Sequence, residues 1–401
     1  MLFFFRKKII CSNTLRDLRG PAIIASNHPN SLVDAIVIGC TCRQPVHFVI
    51  RSDMFKNKLF NFLLKRLNGI PIYRKSEEKD RMRDNFTSIE YCTSILERNG
   101  IIIIFAEGTT SHDWKLKPIK SGISKILLHA LTNDKLKNRL QVLPLGLTYS
   151  SYSHSSKTII IQTGNIIFPG QITADTTGQW KQHFNDILQK SLQPLIPEMT
   201  SVNASNIELW ESILTQAPEY IDCSNNLNIL QSAGEKISQT DLHSEITSMT
   251  TRRFWVDNRL IFISNIIFAV ILFIPALVGC VLNGIFYFPL RSWCRSKTKG
   301  TIFYDSLLFG MLTILYPVYA LLISLVLFFT LRIPFWISII VLPATALSAT
   351  RMKVLLVKIS NYINMKEEDL RFLKSFFRED ETEAYPALNP LKSRSDSTTK
   401  P

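Results

Sequence analysis

Residues 260–290 run for 31 positions without a single Asp, Glu, Lys or Arg, and between 306 and 350 the one charged residue is Arg332. A helix needs about 20 consecutive apolar residues to cross the hydrocarbon of a bilayer, so each block is long enough to do so. Runs of this length are uncommon in buried core helices, and they predict a membrane region over 259–350 made of two blocks. One crossing by 260–282 and two more around Arg332 and Pro334 would leave a basic flank, 291–299 or 351–358, away from the N-terminal part of the chain. The positive-inside rule disfavours that arrangement. A hairpin in each block, the first shallow and bent at Pro275, keeps the basic flanks together and is the preferred reading, although 31 residues are short for two full crossings.

Charge is distributed as unevenly as hydrophobicity. The whole chain of 401 residues has a net charge of +14, yet residues 1–125 hold 21 Lys/Arg against 11 Asp/Glu, and residues 171–250 hold 3 against 10. A basic surface suits phosphates or an anionic bilayer. It also suits nucleic acid, but no nucleic-acid-binding module is recognisable. The seven cysteines (Cys11, Cys40, Cys42, Cys92, Cys223, Cys280, Cys294) are few, odd in number and scattered. That pattern excludes a disulfide scaffold and completes no zinc site, so no metal is expected and Cys40 and Cys42 read as small buried residues in a reducing compartment. At the N-terminus MLFFFRKKII places its charges after the apolar run, the reverse of a signal peptide, so export is not expected.

Ahead of the apolar blocks, β-rich runs alternate with helical patterns. PAIIAS (21–26), VHFVI (46–50), GIPIY (69–73), IIIIF (101–105), VLPLGL (142–147) and TIIIQTG (158–164) are the strand candidates, and helical spacing recurs over 54–67, 79–98 and 122–131. This alternation predicts an α/β fold, a mixed and largely parallel sheet flanked by helices. Such sheets hold ligands beyond the carboxyl ends of their strands, which directs attention to the residues after Ser26, Tyr73, Phe105 and Leu147.

Unusual polar residues fall at these points. After the first run comes Asn27-His28-Pro29-Asn30-Ser31-Leu32-Val33-Asp34. A carboxylate at Asp34, in the first turn of the next helix, can fold back to accept a hydrogen bond from the His28 imidazole. That fixes the tautomer and makes the other ring nitrogen a better base. The same spacing also occurs in structural loops. After the fourth run, Glu107-Gly108-Thr109-Thr110-Ser111-His112-Asp113 precedes Lys115, Lys117 and Lys120. Backbone amides, hydroxyls and lysines together suit a phosphate group, though they also suit a solvated, capped loop. Arg74, directly after the third run, is either a phosphate clamp or a surface arginine. The helix over 54–67 sets Phe55, Leu59, Phe60, Phe62, Leu63 and Leu64 among Lys56, Lys58, Lys65 and Arg66, as either an interfacial helix or a core helix.

Taken in order, NHPNSLVD, GIPIYRK, FAEGTTSHDWKLKPIKSG and VLPLGLTY resemble the four sequence blocks of the glycerolipid acyltransferase superfamily, which includes glycerol-3-phosphate and lysophosphatidate acyltransferases. The resemblance covers about residues 21–150. It implies His28 as catalytic base, Asp34 as its partner, Arg74, Glu107, Gly108 and Thr109 against the glycerol-phosphate moiety with Lys120 adding charge, and Pro144 in the acyl-side block. Five residues separate His28 from Asp34 where most of the superfamily has four, Ala106 stands where Pro is usual, and Thr110 replaces a frequent Arg. The longer spacing, the Ser111-His112-Asp113 ending and the hydrophobic C-terminal region are more similar to the fungal dual-substrate glycerol-3-phosphate/dihydroxyacetone-phosphate enzymes and their bacterial relatives.

The implied reaction moves a fatty acyl group from acyl-CoA or acyl carrier protein, used as cosubstrate with no bound cofactor, to a hydroxyl of glycerol 3-phosphate or dihydroxyacetone phosphate. Lysophosphatidate is the alternative acceptor, and a catalytically silent lipid-binding scaffold is the alternative outside enzyme chemistry. No nucleophile-elbow pattern offers a Ser or Cys for an acyl-enzyme, so direct attack is expected. Asn27 joins the substrate-binding set because backbone amides near it or near Gly146 would face the developing oxyanion. The expected organisation is a catalytic domain over 1–170, an acidic helical connector over 171–258 with Trp180 and Trp210 as anchors, the membrane region over 259–350, and a basic segment with a disordered tail over 351–401. Such a chain is expected to be a multi-pass protein of the bacterial inner membrane or endoplasmic reticulum, its catalytic domain facing the cytoplasm.

Overall fold

The computed structural model describes residues 5–10, 12–56, 58–72, 84–152, 157–200, 204–220, 227–239, 258–299 and 301–364. In chain order the elements are β1 (Phe5–Ile10), α1 (Thr14–Asp17), β2 (Ala22–Ser26), α2 (Leu32–Gly39), β3 (Val46–Arg51), α3 (Lys58–Arg66), β4 (Gly69–Ile72), α4 (Asp84–Glu97), β5 (Ile101–Phe105), α5 (Gly122–Leu131), α6 (Asp134–Lys137), β6 (Gln141–Tyr149) and β7 (Lys157–Thr163). Helices α7 (Thr177–Leu192), α8 (Ala204–Tyr220), α9 (Leu227–Gln239), α10 (Arg259–Lys297), α11 (Tyr304–Leu331) and α12 (Phe335–Asn364) follow. The architecture is the α/β one expected from the sequence, a mixed, mostly parallel sheet flanked by helices and followed by apolar helices.

Seven strands form one sheet in the order β1-β7-β6-β2-β5-β3-β4. Strand β2 pairs in parallel with β5 on one side and β6 on the other, and uses the same five residues, Ala22 to Ser26, for both. Strand β3 pairs in parallel with β5 and β4. The central strands are buried on both faces, which is why β5 reads as four consecutive isoleucines and why β2 has no polar residue before Ser26. Strands β6 and β7 form a hairpin in which Gly164 N–H donates to the Pro144 carbonyl and Ser150 N–H to the Thr158 carbonyl.

Contacts divide the chain into two compact units, one of residues 10–148 and 160–198 and one of residues 1–9, 149–159 and 199–401. The first carries the helix-flanked strands and a hydrophobic core. Ile23 and Ala25 of β2, Ile102 and Ile104 of β5, Ile126 and Leu127 of α5 and Trp180, Phe184 and Leu188 of α7 share that core. Helix α7 is started by a capping box, Thr176 with Gln179, and its buried positions repeat every four residues, so the sheet unit continues through Glu198. An added Cβ at Gly146 would collide with Leu195, so only glycine lets β6 and this segment come so close.

In the second unit α8 and α9 bury Trp210, Ile213 and Leu214 against Leu230 and Ile237. Lys157, the first residue of β7, and Asp305, in the first turn of α11, form a buried ion pair. Helices α10, α11 and α12 are each long and apolar enough to cross a membrane. The preferred hairpin reading of the first apolar block does not hold, because α10 is one helix with Pro275 and Pro289 inside it. A proline removes one ladder hydrogen bond and bends a helix without ending it when the neighbouring turns stay apolar and packed. At 39 residues α10 is about 58 Å long, well beyond the thickness of the hydrocarbon layer. It packs antiparallel to α12, with Phe262 stacked on Tyr362 and Asn283 Nδ2 donating to the Leu342 carbonyl. The Asn283 Oδ1 accepts from the Tyr316 hydroxyl at 2.9 Å, so one side chain ties all three helices.

Candidate functional site

Because β2 and β5 are adjacent and parallel, the loops that follow them leave the sheet side by side at its carboxyl end, next to β6 on the other side of β2. The loop after β2 carries Asn27 and His28. The His28 ring lies flat on Phe105, the last residue of β5, with ring centroids 3.7 Å apart. Its Nδ1–H donates to Asp34 Oδ2 at 2.9 Å, and the same oxygen accepts the Asn30 N–H at 2.7 Å. Asp34 is fully buried, whereas the His28 side chain is 18% exposed. The pair therefore fixes the ring at Nδ1 and leaves Nε2 outside this bond.

The five-residue separation closes through an unusual backbone. Ser31 has φ 49° and ψ −130°, a conformation that L side chains rarely adopt, directly before α2 begins. Held there, the turn brings Asp34, in the first turn of α2, back under His28.

Asn27 faces the opposite neighbour. Its Nδ2 donates to the Leu147 carbonyl at 2.9 Å and its Oδ1 accepts the Leu147 N–H at 2.8 Å, so the side chain pairs with β6 as another strand would. Nothing in the local sequence announces this bond, whose partners are 120 positions apart. Both ends of the side-chain amide bond to Leu147, and what the pairing provides is a fixed origin for the loop.

Glu107 is buried just beyond β5. Its Oε2 accepts the His28 N–H at 3.1 Å and its Oε1 the Lys117 N–H at 3.0 Å, so one carboxylate joins the His28 loop to the lysine-bearing loop. Burial pushes its carboxyl above the usual range, against the opposing pull of these two amides and of the charges on His28 and Lys117. Gly108 follows in the left-handed region at φ +63°, where a Cβ would also press on the Lys120 side chain. Lys120 N–H donates to the Ala106 carbonyl at 2.8 Å and closes the loop at its base. Within the loop Trp114 and Leu116 are buried while Thr109, Lys115 and Lys120 are exposed, so the alternation anchors the loop and presents its polar residues. Lys117 is partnered by Asp113 at 3.1 Å.

Of the residues expected at the site, the fold brings together Asn27, His28, Asp34, Glu107, Gly108, Thr109 and Lys120. Arg74 lies outside the described residues. Phe105, the backbone of Leu147 and the backbone amides of Asn30 and Lys117 belong to the site and were not anticipated. Only Phe105 had a sequence signal, as the aromatic residue ending the strand next to the one that carries the histidine. Among the described residues no three His, Cys, Asp or Glu side chains are grouped as a metal site.

No curated protein matches the chain. Among solved structures, the 1-acyl-sn-glycerophosphate (LPA) acyltransferase PlsC from Thermotoga maritima is similar over 49% of this chain and 74% of that chain, at 13% identity and a TM-score of 0.35. Residues 8–148, which carry the loops after β2 and β5, match the model of the Acyltransferase family.

Proposed function

We propose that the loops after β2 and β5 form an O-acyltransferase site that moves a fatty acyl group from an acyl thioester to the hydroxyl of glycerol 3-phosphate or dihydroxyacetone phosphate. The observation that carries this reading is the His28–Asp34 pair, bonded through Nδ1 at 2.9 Å, with the partly exposed His28 side chain beside a Gly-Thr-Lys loop. The match of residues 8–148 to the Acyltransferase family model supports the acyl-transfer chemistry.

In the reaction the acceptor hydroxyl approaches His28 Nε2 and gives it its proton as the oxygen attacks the thioester carbon. The tetrahedral intermediate then expels the thiolate, which takes up the proton from the imidazolium. Asp34 keeps the proton on Nδ1, so the basic nitrogen always faces the substrate, and its charge stabilises the imidazolium between the two steps. Thiolate is a good leaving group, so most of the rate comes from deprotonation and positioning. Thr109, the Gly108 backbone, Lys115 and Lys120 form the face that receives the acceptor phosphate, and the family resemblance adds Arg74 as a third cation. Asn27 and Glu107 act on the geometry, the first by fixing the loop to β6 and the second by fixing it to the phosphate-binding face. The helices α10 to α12 hold the enzyme at a bilayer, where its acyl products reside.

The test is an acceptor screen with labelled acyl-CoA and acyl carrier protein on the full-length protein in vesicles. Transfer to glycerol 3-phosphate or dihydroxyacetone phosphate that disappears in His28→Ala is expected. Preference for lysophosphatidate would overturn the first-step assignment, and activity surviving His28→Ala would overturn the base.

A further inference from the structure

Helix α3 and the 3-10 turn before it, Ser52–Phe55, carry a surface for which the acyl-transfer site has no use. Leu64 of α3 is buried, whereas Phe62 is 57% exposed, with Met54 at 45% and Leu67 at 49%. On a helix, positions four before and three and four after a residue share its face, so Phe62 stands among Lys58, Lys65 and Arg66. All three cations are exposed, and the Arg66 guanidinium lies over the Phe62 ring at 5.0 Å from its centroid. Lys56, also exposed, continues the positive charge toward Met54. Residues 54–68 contain no Asp or Glu. The nearest carboxylate before them, Asp53, is already held by Arg51 at 2.7 Å.

We infer that this face is a bilayer-docking surface, in which Phe62, Met54 and Leu67 enter the headgroup–acyl boundary of an anionic membrane and Lys56, Lys58, Lys65 and Arg66 contact its phosphates. Charge complementarity selects this occupant. A protein partner would need an acidic counterface, whereas an anionic leaflet presents negative charge everywhere and hydrocarbon directly beneath it. The same chain has three helices long and apolar enough to cross a bilayer. An aromatic ring ringed by cations fits that boundary, because the ring is buried among acyl chains while the long basic side chains extend outward to the phosphates. The arrangement holds the α/β unit against the lipid surface independently of the apolar helices.

The test uses the full-length protein in phosphatidylcholine vesicles with and without phosphatidylglycerol, with a benzophenone amino acid at position 62 (Phe62→p-benzoylphenylalanine) or at the exposed Asn138 (Asn138→p-benzoylphenylalanine). On illumination the probe at 62 is expected to form a lipid adduct, seen by mass spectrometry, in the vesicles that contain phosphatidylglycerol. The probe at 138 is expected to form none. Combining the probe at 62 with Lys58→Glu, Lys65→Glu and Arg66→Glu is expected to cut the adduct by roughly tenfold or more, since each basic residue near an anionic surface contributes severalfold to binding. Equal adduct yields at 62 and 138, adducts indifferent to phosphatidylglycerol and to charge reversal, or a crosslink at 62 to a second copy of the chain in place of lipid would each overturn the proposal. Acyl transfer is not read in this experiment, so its outcome is separate from that of the proposed reaction.

Discussion

Asn27 makes two buried bonds to one residue of another strand, and its replacement tests how the loop carrying the base is held. In Asn27→Ala both the N–H and the carbonyl of Leu147 lose their partner in a site where Leu147 is 1% exposed. An orphaned buried backbone group costs about 1–3 kcal/mol, and partial relaxation keeps two of them at about 2–4 kcal/mol together. For a unit of this size that corresponds to roughly 5–12 °C in the midpoint of thermal unfolding, measurable by tryptophan fluorescence of the solubilised full-length protein. Acyl transfer is expected to fall through kcat, because the loop that positions His28 loses its fixed origin. Asn27→Asp sharpens the test. One carboxyl oxygen can still accept the Leu147 N–H, but the other meets the Leu147 carbonyl and can bond it only when protonated. The folded state therefore raises the pKa of an aspartate at position 27, so the stability it contributes is present below the unfolded-state pKa and is lost as pH rises through the folded-state value. Relative to the parent protein, Asn27→Asp should approach parental stability in acid and fall away toward neutral pH. A parental melting midpoint in Asn27→Ala, or an Asn27→Asp variant whose deficit is independent of pH, would refute the bracketing role.

Three further substitutions probe other parts of the structure. Asp34→Asn keeps the shape of the pair but removes the charge that fixes the tautomer, and steady-state kinetics should show kcat reduced by roughly 10²–10⁴-fold with the fold intact by circular dichroism. Ser31→Gly relieves a backbone strain of about 1–3 kcal/mol against about 0.5–1 kcal/mol of added chain entropy, so chemical denaturation should show a gain of about 1 kcal/mol; a loss would mean that φ 49° is not strained there. Lys157→Met removes the cation paired with the buried Asp305 and should destabilise by about 3–5 kcal/mol in thermal unfolding, whereas combining it with Asp305→Leu should recover most of that loss.

Much of the fold was legible because its central strands are buried on both faces. Runs such as Ile101–Phe105 announce themselves by composition, and the helix over Gly122–Leu131 was bounded as it is found. Strand β1 escaped notice because Arg6, Lys7 and Lys8 interrupt it, the charged character that keeps an edge strand from pairing with other chains. The continuity of α10 was hidden by Pro275, which reads as a break where neighbouring apolar turns sustain the helix. At the site, His28 and Asp34 could be paired from the sequence because six positions separate them and a helix start lies between. The bond of Asn27 to Leu147 and the Glu107 bridge from His28 to Lys117 could not, since strand register decides which distant backbone group faces which side chain.

The double pairing of β2 has an evolutionary meaning. Its neighbours β5 and β6 are bonded to it through main-chain groups, and a ladder of amides and carbonyls is indifferent to which apolar side chains decorate it. The strands that carry the loops of the site inherit their spacing from that ladder, about 4.8 Å per strand, and the side chains of Asn27 and Glu107 then fix the loops upon it. Natural variation can therefore rewrite the outer strands β1, β7, β4 and β3, and the helices attached to them, to suit new lipids or new membranes while the central register continues to hold the base and its partners at their working distances.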